Sequence, residues 1–372
     1  MRRLAMLALL WAIVAPAQAG EVVLNLTSEF LDRAMTATIH LPEAYQTDSD
    51  ATYPVLYLLD GAQHADHTVA SAAFLNSTNV MPQIIVVALS GVNRFAYFTP
   101  TEDPGGGRES GKADRYLDFL QQELMPKIDK GYRASGYDMI AGHSLGGLLA
   151  AHALHTRTTL FDAYYLFSPS LWWDEEVMVA QLSATEFATQ PFIYLSLADE
   201  KGRQEAAYHN YLKQLKAQQA NLVAQSFPNE DHMTTPLVSQ IGAFRAQFSD
   251  WLLSFDAVVE DPTRFVTHYE DLNRRFGTRV SGAEWQIGQP VQHLVNELGD
   301  GKRAIVAATL HLDAFPESQW AYRSMSDALA LNGDLTAAIA HMEKAVAIAR
   351  SRNDGYLSML ESELAALTSA GE

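Results

Sequence analysis

Alternating apolar and polar residues near the start of the chain predict β-strands at 21–28 and 34–40. Residues 54–59 and 82–89 are almost continuously apolar, which is typical of strands buried on both faces of a sheet. The remaining pattern predicts strands at 137–141, 163–167, 192–197 and 222–227, and helices around 69–75, 113–128, 147–151, 175–182, 203–219 and 241–254. Strands that alternate with helices predict an α/β fold, with a mostly parallel central sheet and helices on both faces.

The pattern changes near Asp256, after which no convincing strand follows and helical periodicity begins around residue 262. We therefore expect an α/β domain over residues 20–255 and a small all-α region over 256–372. Within that region, residues 313–349 resemble one tetratricopeptide repeat, with Asn332-Gly333-Asp334 at the turn of a helix hairpin. A helical cap on the first domain is the simpler interpretation, because a lone repeat rarely forms a binding groove. Protein contact or self-association through this region is left open.

The first 19 residues have the pattern of a secretory signal peptide. Arg2 and Arg3 are basic, residues 4–14 are apolar, and Ala17-Gln18-Ala19 places small residues where signal peptidase cleaves. The apolar run is short for a membrane anchor. We expect cleavage after Ala19, export to the periplasm or medium, and no membrane insertion afterwards.

Composition narrows the range of partners and chemistry. The formal charge of −18 becomes −20 when the two leader arginines are removed, which disfavours nucleic acid and anionic membranes as partners. The chain has no cysteine, so disulfides, thiolate metal sites and a cysteine nucleophile are excluded.

Ser144 lies in the pentapeptide Gly142-His143-Ser144-Leu145-Gly146, between the predicted strand 137–141 and a small-residue helix. In this context G-x-S-x-G predicts a nucleophile elbow, a sharp turn that lifts the serine hydroxyl above the sheet. The glycines are needed because a Cβ there would collide with the neighbouring strand or helix. The N–H groups at the start of the helix are placed to hold an oxyanion.

A base and an acid for Ser144 are expected after later strands. His232 follows the strand 222–227 in a polar loop, where an imidazole with a pKa near neutrality can relay the serine proton. Asp199 and Glu200 both follow the strand 192–197, and spacing alone does not choose between these two carboxylates.

The oxyanion donors are predicted to be the backbone N–H groups of Leu145, after the nucleophile, and Ala62, in the loop after strand 54–59. Gly61 would let the backbone approach the substrate. Of the adjacent Trp172 and Trp173, one could form a wall of the substrate cleft, although adjacent aromatics are more often core residues.

No metal or cofactor is expected. His64 with His67, and His152 with His155, have spacings that mimic metal ligands, but neither pair has an obvious third ligand at helical spacing. The glycine-rich segment 103–111 lacks the Gly-Lys-Ser/Thr ending of a phosphate-binding loop, which favours a surface loop or lid.

Several spaced motifs together resemble the Putative esterase family of α/β-hydrolases, over roughly residues 21–254. They are Tyr57-Leu58-Leu59-Asp60-Gly61, Asn93-Arg94 with Thr99-Pro100-Thr101, residues 111–128, the elbow with Gly147, Ser168-Pro169-Ser170-Leu171-Trp172-Trp173, and Asp231-His232. The family includes feruloyl esterases, S-formylglutathione hydrolases, mycolyltransferases and siderophore esterases that cleave enterobactin-type trilactones. The double-tryptophan segment looks most like the siderophore-esterase branch.

The resemblance implies Ser144 as nucleophile, His232 as base, and Glu200 rather than Asp199 as the acid. It also implies that Arg94, Trp172 and Trp173 contact the substrate. The branch usually has Arg-Asp where this chain has Ala96-Tyr97, which implies a less polar substrate. Bacterial members of the branch can carry a tetratricopeptide-like tail.

The sequence therefore predicts an exported serine esterase that cleaves a small-molecule ester through an acyl-enzyme. An acyltransferase would use the same residues and differ only in the acceptor. A binding protein that acts through its helical tail is a further alternative, disfavoured because serine, histidine and acid are all present.

Overall fold

The structure, a computed structural model, describes residues 20–371. The predicted signal peptide, residues 1–19, lies outside the described residues. The described chain divides into two compact units. The first runs to Ser249 and includes Phe276–Thr278, and the second comprises residues 250–275 and 279–371. The boundary predicted between residues 255 and 256 falls a few residues inside the second unit.

The first unit contains one eight-stranded sheet in the order β1-β2-β4-β3-β5-β6-β7-β8. Strand β1 pairs antiparallel with β2 and β2 antiparallel with β4, whereas all pairs from β4 to β8 are parallel. The strands are β1 Gly20–Ser28, β2 Arg33–Leu41, β3 Tyr53–Leu58, β4 Ile85–Ser90, β5 Ala134–His143, β6 Ala163–Phe167, β7 Phe192–Ala198 and β8 Leu222–Phe227. The predicted mostly parallel α/β fold is confirmed.

Burial along the strands follows their apolar content. Strands β3 and β6 are buried at every position, whereas β1 and β8 at the two edges alternate or remain largely exposed. Strand β4 begins at Ile85, three residues later than predicted, and Pro82 at the predicted start has no N–H to donate to a ladder.

The helices of the first unit pack on the sheet in two groups, α1 with α8, and α5 with α3 and α6. The chain moves from β3 to β4 in one direction across the sheet and from β5 to β8 in the other, so right-handed crossovers place their helices on opposite faces. The helices are α1 Gly61–Ser77, α2 Arg94–Tyr97, α3 Ala113–Phe119, α4 Met125–Gly131, α5 Leu145–Thr156, α6 Trp173–Leu182, α7 Arg203–Ala217 and α8 Thr235–Gln247. A π-helical turn, Leu120–Leu124, joins α3 to α4, and Glu43–Tyr45 forms a 3₁₀ turn.

The second unit is helical, and the described chain has no strand after β8. Its helices are α9 Phe255–Glu260, α10 Arg264–Phe276, α11 Trp285–Asn296, α12 Gly301–Ala314, α13 Gln319–Leu331, α14 Leu335–Ser351 and α15 Leu357–Gly371. Helices α13 and α14 form a hairpin in which the Ser326 hydroxyl donates to the Ala338 carbonyl and Asp334 caps α14. The assignment of this hairpin to a tetratricopeptide repeat stays a prediction. Within residues 20–371, no helix combines the length and apolar composition needed to cross a membrane.

Candidate active site

Ser144 occupies a strained turn between β5 and α5. Its φ of 59° and ψ of −116° are unusual for a residue with a side chain, and such strain persists only where the surroundings enforce it. A Cβ on Gly142 would lie 2.3 Å from the backbone of Gly146, and one on Gly147 would lie 2.8 Å from Pro169 Cβ. Gly142 thus allows strand and helix to approach closely enough for the elbow to form. The collision expected at Gly146 is not found, because a Cβ there would make only a tight contact, 3.2 Å, with the Asp60 carboxylate.

The Ser144 side chain contacts a residue that sequence reasoning did not assign a role. Its Oγ lies 3.2 Å from Ser170 Oγ, and the Ser170 N–H donates to the Ser144 carbonyl at 3.0 Å. Ser170 follows β6, the strand beside β5, so the neighbouring strand ends bring the two hydroxyls together. The Ser168-Pro169-Ser170 segment was recognised as a motif, but its sequence does not indicate this contact.

His232 and Glu200 lie together at the carboxyl ends of β8 and β7. The Nδ1 of His232 is 2.5 Å from Glu200 Oε1, with Glu200 mostly buried and His232 half-buried. Asp199, the other candidate, forms an exposed ion pair with Lys201 at 2.8 Å. Of the two carboxylates that spacing left open, Glu200 is therefore the one that contacts the histidine.

A row of histidines leads away from His232 into the protein. The rings of His143 and His232 have centroids 4.4 Å apart, those of His143 and His64 5.7 Å apart, and His64 Nδ1 lies 3.2 Å from His67 Nε2. Burial, reinforced by the neighbouring His232 and His64, lowers the pKa of His143 to about 3, and burial lowers that of His64 to about 4. His143 and His64 are therefore neutral at neutral pH. Among the described residues, no group of three or more His, Asp or Glu side chains could hold a metal ion.

The loop after β3 carries Gly61 and Ala62. A Cβ on Gly61 would lie 2.7 Å from Ala88 Cβ, so this glycine allows α1 to pack on β4, a reason that the sequence did not indicate. The Ala62 N–H, predicted to bind an oxyanion, donates to the Ser90 hydroxyl at 2.7 Å. A substrate oxyanion at Ala62 would have to replace Ser90. Leu145, whose N–H is the other predicted donor, is buried at the start of α5.

Arg94 links the two segments that carry these predicted donors. Its Nε forms an ion pair with Asp60 Oδ1 at 2.8 Å, and its Nη2 donates to the His143 carbonyl at 3.2 Å. Asp60 has a left-handed backbone with φ 55° and its side chain is only 9% exposed. Burial raises the pKa of Asp60, and the Arg94 guanidinium opposes that rise.

The two predicted substrate-binding tryptophans have different surroundings. Trp173 is buried and its Nε1 donates to Thr101 Oγ1 at 3.0 Å, as expected of a core residue. Trp172 is only partly buried, and the Arg203 guanidinium carbon lies 5.0 Å from its ring centroid. Trp172 is therefore the member of the pair available to a ligand.

Comparisons with known proteins agree with this architecture. The family model described as Putative esterase matches residues 28–255. The ferri-bacillibactin esterase BesA of Bacillus subtilis (strain 168) is 30% identical over 175 residues, which are 40% of this chain and 60% of that protein. The matched part thus spans less than two thirds of the length of that relative.

Two solved structures extend the likeness. An IroE-like serine hydrolase from Shewanella oneidensis has a TM-score of 0.65 at 25% identity and covers 79% of this chain and 99% of its own. An uncharacterised protein from Capnocytophaga ochracea DSM 7271 has a TM-score of 0.72 at 15% identity. The match covers 94% of this chain and 99% of that protein. At this lower identity the likeness shows the fold alone.

Proposed function

The chain belongs to the Putative esterase family, and from this membership we propose that it hydrolyses carboxylic esters through an acyl-enzyme formed on Ser144. The observation that carries the proposal is the contact between Glu200 and His232. Both residues lie at the carboxyl ends of the parallel strands, where the Ser144 elbow also lies. The candidate nucleophile, acid and base follow three parallel strands in the chain order expected of an α/β-hydrolase.

In the proposed reaction, Ser144 Oγ attacks the ester carbonyl while His232 Nε2 takes the hydroxyl proton. Glu200 accepts the Nδ1–H of His232, which fixes the tautomer and stabilises the imidazolium. The C–O bond then breaks and the alcohol leaves with the proton from His232. Water attacks the acyl-enzyme while His232 takes a proton from it. The bond from the acyl carbon to Ser144 Oγ then breaks, His232 returns the proton to Oγ, and the carboxylic acid is released.

The oxyanion formed in both steps is assigned to the N–H groups of Leu145 and Ala62. Helix α5 begins at Leu145, so the helix N-terminus adds a favourable dipole. Before substrate binds, the Ala62 N–H donates to the Ser90 hydroxyl. In the proposed reaction the substrate oxyanion replaces this hydroxyl as the acceptor.

We place the substrate among siderophore-type esters. The support comes from relatives named as esterases of ferri-bacillibactin, triacetylfusarinine C and enterobactin. The partly buried Trp172 with Arg203 above it offers an aromatic and cationic wall for such a substrate. A panel of p-nitrophenyl esters of increasing acyl length, together with a catecholate trilactone, tests this assignment. Preference for short simple esters over the trilactone would contradict it.

A fluorophosphonate probe tests the nucleophile. We expect labelling of the wild type and of Ser183→Ala, a control serine at the end of α6, and no labelling of Ser144→Ala. Labelling that persists in Ser144→Ala, or is absent from the wild type, would refute the assignment. An added alcohol acceptor in the ester assay distinguishes hydrolysis from transfer.

The assignment of the acid is tested by two matched amides. Glu200→Gln should lower kcat by about 10²–10⁴, because the amide no longer stabilises the imidazolium. Asp199→Asn should leave kcat within about twofold, because Asp199 contacts exposed Lys201 rather than His232. If only Asp199→Asn loses activity, Asp199 is the acid.

We also propose that the protein is exported and processed after Ala19, as the leader pattern indicates. The described strand β1, Gly20–Ser28, lies wholly after the predicted cleavage site. Mass spectrometry of the protein from its native host should find an N-terminus at Gly20 in the exported fraction. Intact Met1 in a cytoplasmic fraction would contradict export.

A further inference from the structure

A cavity of about 360 Å³ opens among α11, α12 and α13 of the second unit, outside the residues that the family model matches. Its described lining consists of two tryptophans, one glycine and six polar or charged residues, with no aliphatic side chain. A gap left by imperfect helix packing would be lined mainly by aliphatic side chains. Aromatic walls with a few fixed polar groups are instead typical of small-molecule sites. We call it the tryptophan cavity, after Trp285 and Trp320.

The polar side of the tryptophan cavity is a fixed hydrogen-bond chain. The buried His311 has its Nδ1 3.0 Å from Ser324 Oγ and its Nε2 3.0 Å from Glu284 Oε1. Burial lowers the pKa of His311, although Glu284 opposes this shift, so the ring is neutral at neutral pH. A neutral imidazole has one donor and one acceptor, and a carboxylate only accepts. His311 therefore donates to Glu284 and accepts from Ser324.

Glu284 is the acidic side chain in the lining of the tryptophan cavity. Its described partners are the neutral His311 and the hydroxyl of Ser318, and within residues 20–371 it forms no ion pair with lysine or arginine. The cation in the lining, Arg323, is already paired: its Nε and Nη2 each lie 2.8 Å from a Glu363 oxygen. The uncompensated charge at the tryptophan cavity is thus that of Glu284.

Two indoles beside such a carboxylate favour a positively charged ligand. Tryptophan is the aromatic side chain that attracts cations most strongly, and Trp285 is 50% exposed and accessible. The net charge of −18 attracts cations to the protein as a whole.

We propose that the tryptophan cavity binds an alkylammonium ion, with the ammonium against Glu284 and the alkyl part against Trp285 and Trp320. Its volume is at the lower end of small-molecule sites, about 300–1,000 Å³, so the ligand is a small amine or one lysine side chain. The proposal is independent of the esterase reaction, because it uses no residue assigned to that reaction.

The test uses the full chain labelled with 5-fluorotryptophan and observed by ¹⁹F NMR. n-Butylammonium should shift the Trp285 and Trp320 resonances saturably and leave the Trp172 and Trp173 resonances unchanged. The neutral isostere 1-butanol and the anion butyrate should give no saturable shift. Trp285→Phe and Trp320→Phe assign the two resonances. A lysine with both ends blocked, titrated in parallel, shows whether the site prefers a free amine or a side chain.

Glu284→Gln should weaken butylammonium binding about tenfold, because the amide removes the charge but can still accept from His311. The matched control is Glu317→Gln, which removes one charge from a side chain that is 92% exposed, and should change affinity less than about twofold. If Glu284→Gln fails to fold, Trp285→Leu on the surface should show the same loss. Saturable shifts with butyrate instead of butylammonium, no saturation by any probe, or unchanged affinity in the folded variants would overturn the proposal.

Discussion

Replacing Arg94 by glutamine separates two roles that this residue could have. The resemblance to the siderophore-esterase branch predicts that Arg94 contacts the substrate. The geometry predicts instead that it positions two loops, because one guanidinium bridges the Asp60 carboxylate and the His143 carbonyl. Ala62 and Leu145, the predicted oxyanion donors, each follow two residues later. We therefore expect Arg94→Gln to lower kcat and to leave KM almost unchanged.

The size of the effect can be worked from the ion pair. Removing one partner of a fully buried pair costs about 3–5 kcal/mol. The Arg94 side chain is 36% exposed, so solvent screening reduces this loss, and we expect about 2 kcal/mol in the free energy of unfolding. Complete loss of one oxyanion donor lowers kcat about 10²–10³-fold. A displaced donor costs less, so a decrease in kcat of about 10–100-fold is expected.

The stability loss should depend on pH, because Asp60 is the group left without its cation. Burial already raises the pKa of Asp60, and removing Arg94 raises it further. An acid whose folded pKa is raised binds more protons in the folded state, so stability falls as pH rises from the unfolded to the folded pKa. Arg94→Gln should therefore be more destabilising at pH 7 than at pH 5 in urea unfolding.

The assays are steady-state hydrolysis of a p-nitrophenyl ester and urea unfolding at both pH values. Asp60→Asn in the Arg94→Gln background removes the unpaired carboxylate and should restore most of the lost stability at pH 7. The control is Arg108→Gln, since the described contact of Arg108 is with the Phe95 ring rather than a carboxylate. A rise in KM at unchanged kcat would refute positioning and assign Arg94 to the substrate.

Four further variants test neighbouring features. Gly142→Ala should abolish activity and destabilise the protein, because its Cβ would lie 2.3 Å from the Gly146 backbone; wild-type activity would contradict the elbow geometry. His143→Phe should not change the shape of the pH profile of kcat/KM, and both proteins should show a single acid limb, because burial holds the pKa of His143 at about 3. If the wild type shows a second ionisation that the variant lacks, His143 titrates in the assay range. Trp173→Ala should lower the free energy of unfolding by about 3–5 kcal/mol, whereas Trp172→Ala should mainly raise KM; equal unfolding losses would place both in the core.

The central strands β3 and β6 could be predicted from the sequence because strands buried on both faces are almost continuously apolar. The helix after β8 could not be placed as well: 241–254 was expected, whereas α8 is Thr235–Gln247. Pro236 is tolerated in the first turn of a helix, so it did not prevent an earlier start. Trp251 and Leu253 are buried but lie outside the helix. Their apolar character indicates burial, which is compatible with a helix but does not require one.

The choice between Asp199 and Glu200 shows what spacing cannot decide. Both follow β7, and which carboxylate faces His232 depends on the backbone direction after the strand ends. In the structure Glu200 faces His232 and Asp199 faces solvent with Lys201. The resemblance favoured Glu200, whereas the residues alone left the two carboxylates equal.

Several contacts at the site join residues that follow neighbouring strands of the sheet but belong to different sequence motifs. The sequence therefore did not reveal these contacts. In a parallel sheet all carboxyl ends meet at one edge, so each βα loop adds a side chain to the same place. Those loops contribute Asp60 after β3, Ser90 at the end of β4, Ser144 after β5, Ser170 after β6, Glu200 after β7 and His232 after β8. The strand order places β5 beside both β3 and β6, so Ser144 lies between the loop of Ala62 and the loop of Ser170. Chain order gave candidates for nucleophile, acid and base, but only the order of strands in the sheet reveals that Ser170 contacts the elbow. Arg94 follows β4, which is not a neighbour of β5, so its contact with the His143 carbonyl depends on the reach of its side chain past the loop after β3.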